Sequence, residues 1–158
     1  MKGRSVADTQ RTLVIIKPDG VQRGLIGEII TRLERRGLRL VGLNIGVISE
    51  ATAKKHYAEH EGKGFYNSLV SYITSGPSVT MVLEGPDAIG VVRSTVGSTR
   101  PAEAAPGTIR ADYGLTVGRN LIHASDGEAS AEREVALFFG DAPLPTYTRD
   151  IDRWILED

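Results

Sequence analysis

Apolar positions in this chain come in short blocks, and the spacing within each block sorts it as strand or helix. Residues 12–17 are mostly apolar and rich in β-branched side chains, and Pro18-Asp19-Gly20 stops the run. This predicts a buried strand and a turn. Ile26, Ile29, Ile30 and Leu33 then fall at i, i+3, i+4 and i+7, one face of a helix, with Arg32, Glu34, Arg35 and Arg36 on the solvated side. Gly37 suits the position just past that helix, with Leu38 as its apolar partner. Residues 38–48 read as a second strand, and Ser49 as the N-cap of a helix running to about His60. A helix over 66–74 closes at Ser75-Gly76-Pro77, and a strand over 79–83 and a helix over 87–96 follow.

Residues 97–119 break the rhythm. They hold no sustained period and contain two Pro, four Gly and three Arg, the composition of a long functional loop. Residues 120–123 resume as a short strand. Ala131, Val135, Phe138 and Phe139, at i, i+4, i+7 and i+8, mark a last amphipathic helix. Beyond Gly140, Pro143 and Pro145 predict an extended tail. Nothing marks a repeat or a second-domain boundary, so residues 1–158 read as one domain with a flexible segment over 1–10. The element order predicts an α+β fold in which two β-α-β halves share one antiparallel four-stranded sheet with helices on its surface. That is the ferredoxin-like arrangement.

Composition narrows the function classes. A chain of 158 residues with 41% hydrophobic and 25% charged residues can bury a sizeable core. Its 19 Lys+Arg against 20 Asp+Glu leave no global field for nucleic acid or anionic lipid. The absence of Cys excludes disulfides, thiolate metal sites and cysteine nucleophiles. No apolar run approaches the roughly 20 residues of a membrane span, and no signal-peptide pattern is present, so a cytoplasmic protein is expected. Glycine, at 18 residues, is in excess, which indicates tight turns or backbone lying close to a ligand.

The candidate chemistry gathers near one histidine. His123 ends a short strand after the Gly- and Arg-rich loop, and Ser125-Asp126-Gly127-Glu128 has the pattern of a capping box, predicting a helix N-terminus beside the imidazole. Such an end favours anions, and Arg93, Arg100, Arg110 and Arg119 lie in or near the preceding loop. The bland alternatives are a satisfied structural histidine and a serine that only caps. His56 and His60 stand at i, i+4, a spacing that can chelate zinc, but no compact set of acidic ligands accompanies them and no protein-held metal is expected. Lys17 ends the first strand, yet the chain has no P-loop motif. Phe65, beside Gly62-Lys63-Gly64, reads as either a core aromatic or an exposed stacking platform, and spacing alone favours the core.

These residues carry a resemblance. The segments Ile16-Lys17-Pro18-Asp19-Gly20-Val21-Gln22-Arg23-Gly24, His56-Tyr57 with Phe65, Ser75-Gly76-Pro77, and Ala105-Pro106-Gly107-Thr108-Ile109-Arg110 appear in order. The most specific is Gly118-Arg119-Asn120-Leu121-Ile122-His123-Ala124-Ser125-Asp126, with Glu134 at a matching distance. Over residues 11–158 the chain resembles the nucleoside diphosphate kinases.

The resemblance implies the following roles. His123 would attack the γ-phosphate of a nucleoside triphosphate and become phosphohistidine, with Glu134 and Ser125 holding and polarising the imidazole. Lys17 and Asn120 would bond the ribose hydroxyls, Lys17 also lying near the transferred phosphate. Arg93, Thr99 and Arg110 would bind phosphates, with His56 and Tyr57 near them. Phe65 would stack on the base, with Val117 on its other face. The loop before Arg119 would belong to the nucleotide site and to a subunit contact near Pro101. Mg²⁺ would arrive on the nucleotide phosphates, and a homo-oligomer is implied, a hexamer rather than a tetramer. Ping-pong kinetics and tolerance of any base would follow. This chain departs from the pattern at Gly64, Ala111, Ala124 and Gly127; Ala124 would be costly if its position needed a positive φ. The reading from another class is a ferredoxin-like binding or regulatory module without catalysis; it lacks the aromatic pattern of an RNA binder and retains the histidine a scaffold could lose.

Overall fold

In the computed structural model, which describes residues 9–141 and 143–157, the sheet is built around β1 (Thr9–Ile16), whose last five residues are buried. Burial on both faces explains why this strand reads as a continuous apolar run rather than an alternation. β2 (Arg39–Val47), β3 (Pro77–Pro86) and β4 (Ile122–Ala124) complete an antiparallel sheet of order β2-β3-β1-β4, the ferredoxin-like topology. Val14 and Ile16 point into a core with Ile29 and Leu33 of α2 (Ile26–Arg35) and Val92 and Val96 of α5 (Ala88–Val96). Leu13 and Ile15 point to the other face, against α3 (Glu50–His56), α4 (Tyr66–Ile73) and α7 (Glu128–Phe139). This two-residue alternation fixes the site. Ile15 pairs with His123, and paired residues share a sheet face, so His123 is delivered to the side covered by α3 and α7. Ile122 and Ala124 go to the opposite core.

The expected elements are present, with informative differences. Ser49 caps α3 by accepting the Thr52 N–H, but α3 ends at His56 and a separate 3₁₀ turn carries residues 58–60. His56 and His60 therefore do not share one helix face. Pro18-Asp19-Gly20, read as a turn, lies within a single-turn helix, α1 (Pro18–Gln22). Gly37 takes φ +95° after α2, the left-handed value expected of a residue past a helix end. Of the segment expected to be flexible, Thr9 and Gln10 belong to β1 and Gln10 bonds Glu128 and the Ile89 N–H; residues 1–8 lie outside the described residues.

Residues 97–119 are a loop in course but not in disorder. They contain a 3₁₀ turn at Pro101–Glu103 and α6 (Ile109–Tyr113), capped by Thr108. Arg32 of α2 pairs with Asp112 at 2.6 Å and donates to Gly107 O, and Arg110 donates to Gly97 O. The loop is thus ordered by its own chain, with Pro101 buried in it. The tail returns across the start of β2, where Tyr147 donates to Leu40 O and Arg149 to Gly37 O and Leu38 O, and it ends in a 3₁₀ turn at Asp150–Trp154.

Candidate active site

The local reason for the site is a kink just before β4. Leu121, fully buried, is held at φ +74°, a conformation costing on the order of 1–3 kcal/mol for a side chain of its size. Both its peptide groups are tied to the segment that follows β1: Asp19 Oδ2 accepts the Leu121 N–H at 3.0 Å, and Leu121 O accepts the Lys17 N–H at 2.8 Å. The kink ends the preceding loop and turns the next residues into the sheet register. Ala124 is not among the residues with positive φ, so its methyl group carries no such cost.

His123 is half-buried, and its Nε2 lies 2.7 and 3.0 Å from the two carboxylate oxygens of Glu134 on α7. A carboxylate accepts, so Nε2 carries the proton and the Nδ1 lone pair is left for chemistry. Glu134 is 2% exposed on a face otherwise apolar, and the Ser125 hydroxyl lies 3.3 Å from it. Ser125 is itself fully buried and accepts the Leu13 N–H at 3.3 Å, which anchors it to β1. It does not cap the helix. The N-cap of α7 is Gly127, whose N–H goes to Ser130 Oγ, while Ser130 donates to Asp126 at 2.5 Å.

His56 completes the imidazole environment. It is 5% exposed, and its ring meets that of His123 edge-on at 4.7 Å and touches Tyr57 and Phe138 at 4.7 and 5.4 Å. Burial, then the neighbouring His123, pushes its pKa down to about 3, so it is a neutral wall. Burial, then the Glu134 charge, pushes the Tyr57 hydroxyl up to about 12.

Cations surround the strand. Arg93 of α5 donates to Ala124 O at 3.2 Å, on one side of His123. Arg110, which unlike the exposed Arg93 is buried, donates to Ile122 O at 2.5 Å on the other side, and to Asn120 O and Gly97 O. Those three bonds use three of the five guanidinium N–H groups, so Arg110 both braces the loop and retains donors. Its pKa falls to about 10 through burial and the nearby Arg93. Lys17 Nζ donates to Asn120 Oδ1 at 2.9 Å, and Asn120 in turn donates to Thr99 O at 3.0 Å. Burial first, then Arg110, lowers the Lys17 pKa to about 8, with Asp19 opposing. Three cations converge here while the nearby Asp19, Asp126 and Glu134 already accept from Leu121 N–H, Ser130 and His123, so an incoming anion would meet free donors.

Phe65, at the start of α4, is 50% exposed, with the His60 ring at 5.3 Å and Lys63 Nζ at 5.8 Å; Val117 is likewise half-exposed in its 3₁₀ turn. Phe65 is therefore a surface platform rather than core. Sequence reasoning overlooked Asp19, read as turn punctuation, and Leu121, whose strain leaves no mark on residue type. Tyr72, which accepts the Asp19 N–H and carries the Arg119 guanidinium 4.0 Å above its ring, was also unmarked.

Comparison with known proteins agrees with this inventory. The family model for nucleoside diphosphate kinase matches residues 10–144. The chain is 57% identical over 149 residues to the nucleoside diphosphate kinase of Archaeoglobus fulgidus, covering 94% of this chain and 99% of that relative. It is 58% identical over 140 residues to that of Methanosarcina barkeri, covering 89% and 94%. Among solved structures, the halophilic nucleoside diphosphate kinase of Halobacterium salinarum in complex with CDP superposes with a TM-score of 0.91 at 55% identity, covering 94% of this chain and 99% of that one. A Babesia bovis family member gives 0.90 at 44% identity, covering 92% and 99%. A kinase-type transferase acting on nucleotides fits the cation-rimmed histidine, and the chain belongs to the nucleoside diphosphate kinase family.

Proposed function

We propose that this chain moves the γ-phosphoryl group of a nucleoside triphosphate to a nucleoside diphosphate in two half-reactions through His123. One observation carries the reading: Glu134 claims Nε2 at 2.7 Å, which leaves the Nδ1 lone pair as the nucleophile. In the first half-reaction Nδ1 attacks the γ-phosphorus, the bond to the β-bridging oxygen breaks, and the diphosphate leaves. In the second, a terminal oxygen of an incoming diphosphate attacks the same phosphorus, and the P–N bond breaks back to the imidazole. Phosphoryl transfer asks for position and charge stabilisation more than covalent help. Lys17, Arg93 and Arg110 supply charge, with Thr99 and Tyr57 beside the phosphates. Lys17 and Asn120 hold the ribose, and Phe65 with Val117 flanks the base. Burial of Glu134 strengthens its attraction for the imidazolium-like charge that develops as Nδ1 bonds to phosphorus.

Magnesium prefers hard oxygen ligands in octahedral array. Around β4 the described carboxylates are engaged, Glu134 by His123 and Ser125, Asp19 by the Leu121 N–H and Asp126 by Ser130, while Lys17, Arg93 and Arg110 suit phosphate oxygens and not the ion, so the phosphates themselves would hold it. When bound there, Mg²⁺ would neutralise charge on the phosphate oxygens.

The test uses labelled ATP without an acceptor. One phosphoryl group per chain is expected, labile in acid and stable in base as a phosphoramidate is, and discharged by a diphosphate. Label that survives acid would place the nucleophile elsewhere.

The same reading includes a homo-oligomer, a hexamer rather than a tetramer. Its support is apolar exposure: Leu43, Ile45 and Val47 share one face of edge strand β2 and are all exposed, and Trp154 of the tail is 80% exposed. The tail's Trp154 does not fold onto its own sheet. Since the loop over 97–119 is already braced within the chain, order in that loop is not what association supplies. Sedimentation at low micromolar concentration should give a multiple of 17.0 kDa; a fully active monomer would overturn the proposal.

A further inference from the structure

The pairing of histidines differs from the one their spacing suggests. His60 turns away to Lys63 and Phe65, while His56, at the end of α3, meets His123 on β4 and Glu134 on α7. One ligand atom from each of these three residues lies within 4.8 Å of the others. His56 Nδ1 is buried and has no hydrogen-bond partner, a costly state for a ring nitrogen among apolar and aromatic neighbours. We propose that His56, His123 and Glu134 form a binding site for a borderline divalent transition-metal ion, Zn²⁺ in kind, whose occupation stops phosphoryl transfer.

The donor set carries the choice of ion. Two imidazole nitrogens and one carboxylate oxygen form a three-ligand zinc set, with the half-exposed side of His123 leaving room for water in the fourth position. Magnesium, which rarely takes nitrogen, is not served by it. Zinc ligands at about 2.0–2.2 Å from the metal stand roughly 3.3 Å apart. Glu134 and His123, now at 2.7 Å, would separate slightly, and His56 would close in by up to about 1.5 Å. Three helix- and strand-borne side chains make that a rotamer adjustment, not a change of fold. Lys17 and Arg110 oppose a cation here, so the affinity is expected in the micromolar range and not tighter.

Inhibition follows from proton bookkeeping on a neutral ring. If the metal takes Nε2, the ring proton moves to Nδ1 and the nucleophilic lone pair is lost. If it takes Nδ1, that lone pair is occupied directly. In both cases Glu134 is withdrawn from Nε2–H. This consequence rests on His123 being the nucleophile; the binding does not, and the two are measured separately.

The experiment titrates the full-length, nucleotide-free protein with Zn²⁺ in a metal-buffered solution, following binding by equilibrium dialysis. One ion per chain is expected, with at least tenfold weaker binding in His56→Gln and in Glu134→Gln and unchanged binding in His60→Ala. Because the buried variants can lose stability, the parent protein supplies a second readout: Zn²⁺ should slow acylation of His123 by diethyl pyrocarbonate, and Co²⁺ should show the absorption bands of a four-coordinate nitrogen–oxygen site. Binding unaffected by His56→Gln and Glu134→Gln, binding lost in His60→Ala, or no protection of His123 would each overturn the site. With binding established, Zn²⁺ should cut phosphoenzyme formation from ATP in proportion to occupancy. Full phosphorylation of the zinc-loaded protein, in a preparation that phosphorylates normally without zinc, would overturn the inhibitory part alone.

Discussion

His123→Asn is expected to lower turnover by about 10⁴-fold or more, with diphosphate affinity kept within a few-fold. The loss is large because no described side chain beside His123 is placed to replace its lone pair. His56 is buried behind it, and Glu134 is 2% exposed beneath it. The retained affinity follows from the division of labour, since Lys17, Asn120, Arg93 and Arg110 are anchored to one another and to backbone carbonyls and not to the imidazole. Asparagine fits at the middle of a three-residue strand whose neighbours Ile122 and Ala124 fill the other face, so the fold should persist. Steady-state assay alongside equilibrium binding of a diphosphate checks both halves. A variant turning over within tenfold of the parent would remove His123 from the nucleophile's role.

Glu134→Gln should give the second-largest effect, a fall in kcat on the order of 10²- to 10³-fold with KM little changed. The amide keeps the volume of the side chain, so the 12-residue helix α7 should stay seated. What it loses is charge. The Nε2–H can still donate to an amide oxygen, but the imidazolium-like charge that develops during attack no longer faces a carboxylate inside the protein. The amide NH₂ can also turn toward Nε2 and favour the tautomer with the proton on Nδ1, which is not nucleophilic. Rapid-quench measurement of the phosphorylation step separates this from product release. An unchanged rate there would leave Glu134 a purely structural partner of Ser125.

Much of this was legible in residue order. The continuous apolar run of β1 announced a strand buried on both faces, and the i, i+3, i+4, i+7 series of Ile26, Ile29, Ile30 and Leu33 announced α2, with Ile29 and Leu33 fully buried in the core. Ser49 was recognisable as a cap because its side chain acts on a backbone group three residues away. At Ser125 the local pattern left two readings open, a cap and a partner of the imidazole. The Ser-x-x-Glu spacing suits a cap, but the hydroxyl finds Leu13, 112 residues distant in the chain, and Glu134 instead. The loop over 97–119 read as structureless because its order comes from Arg32 and Asn120 bonding into it and from its own Arg110 bonding back to Gly97, contacts that are not local in sequence and leave no period.

Residue order alone determined the four strands and the longer helices, their apolar faces, the class of fold and, through its motifs, the family, since each rests on local spacing or on strings of side chains. The tertiary structure decided which side chains meet. The register that pairs Ile15 with His123 puts the imidazole on the face shared by α3 and α7. There it takes Glu134 and His56 as neighbours in place of the nearer-seeming pair of His56 and His60. A one-residue slip in that register would send His123 into the opposite core, because alternate strand residues face opposite ways. Sheet register and helix packing are settled by burial summed over the whole chain, and no local stretch of sequence contains that sum.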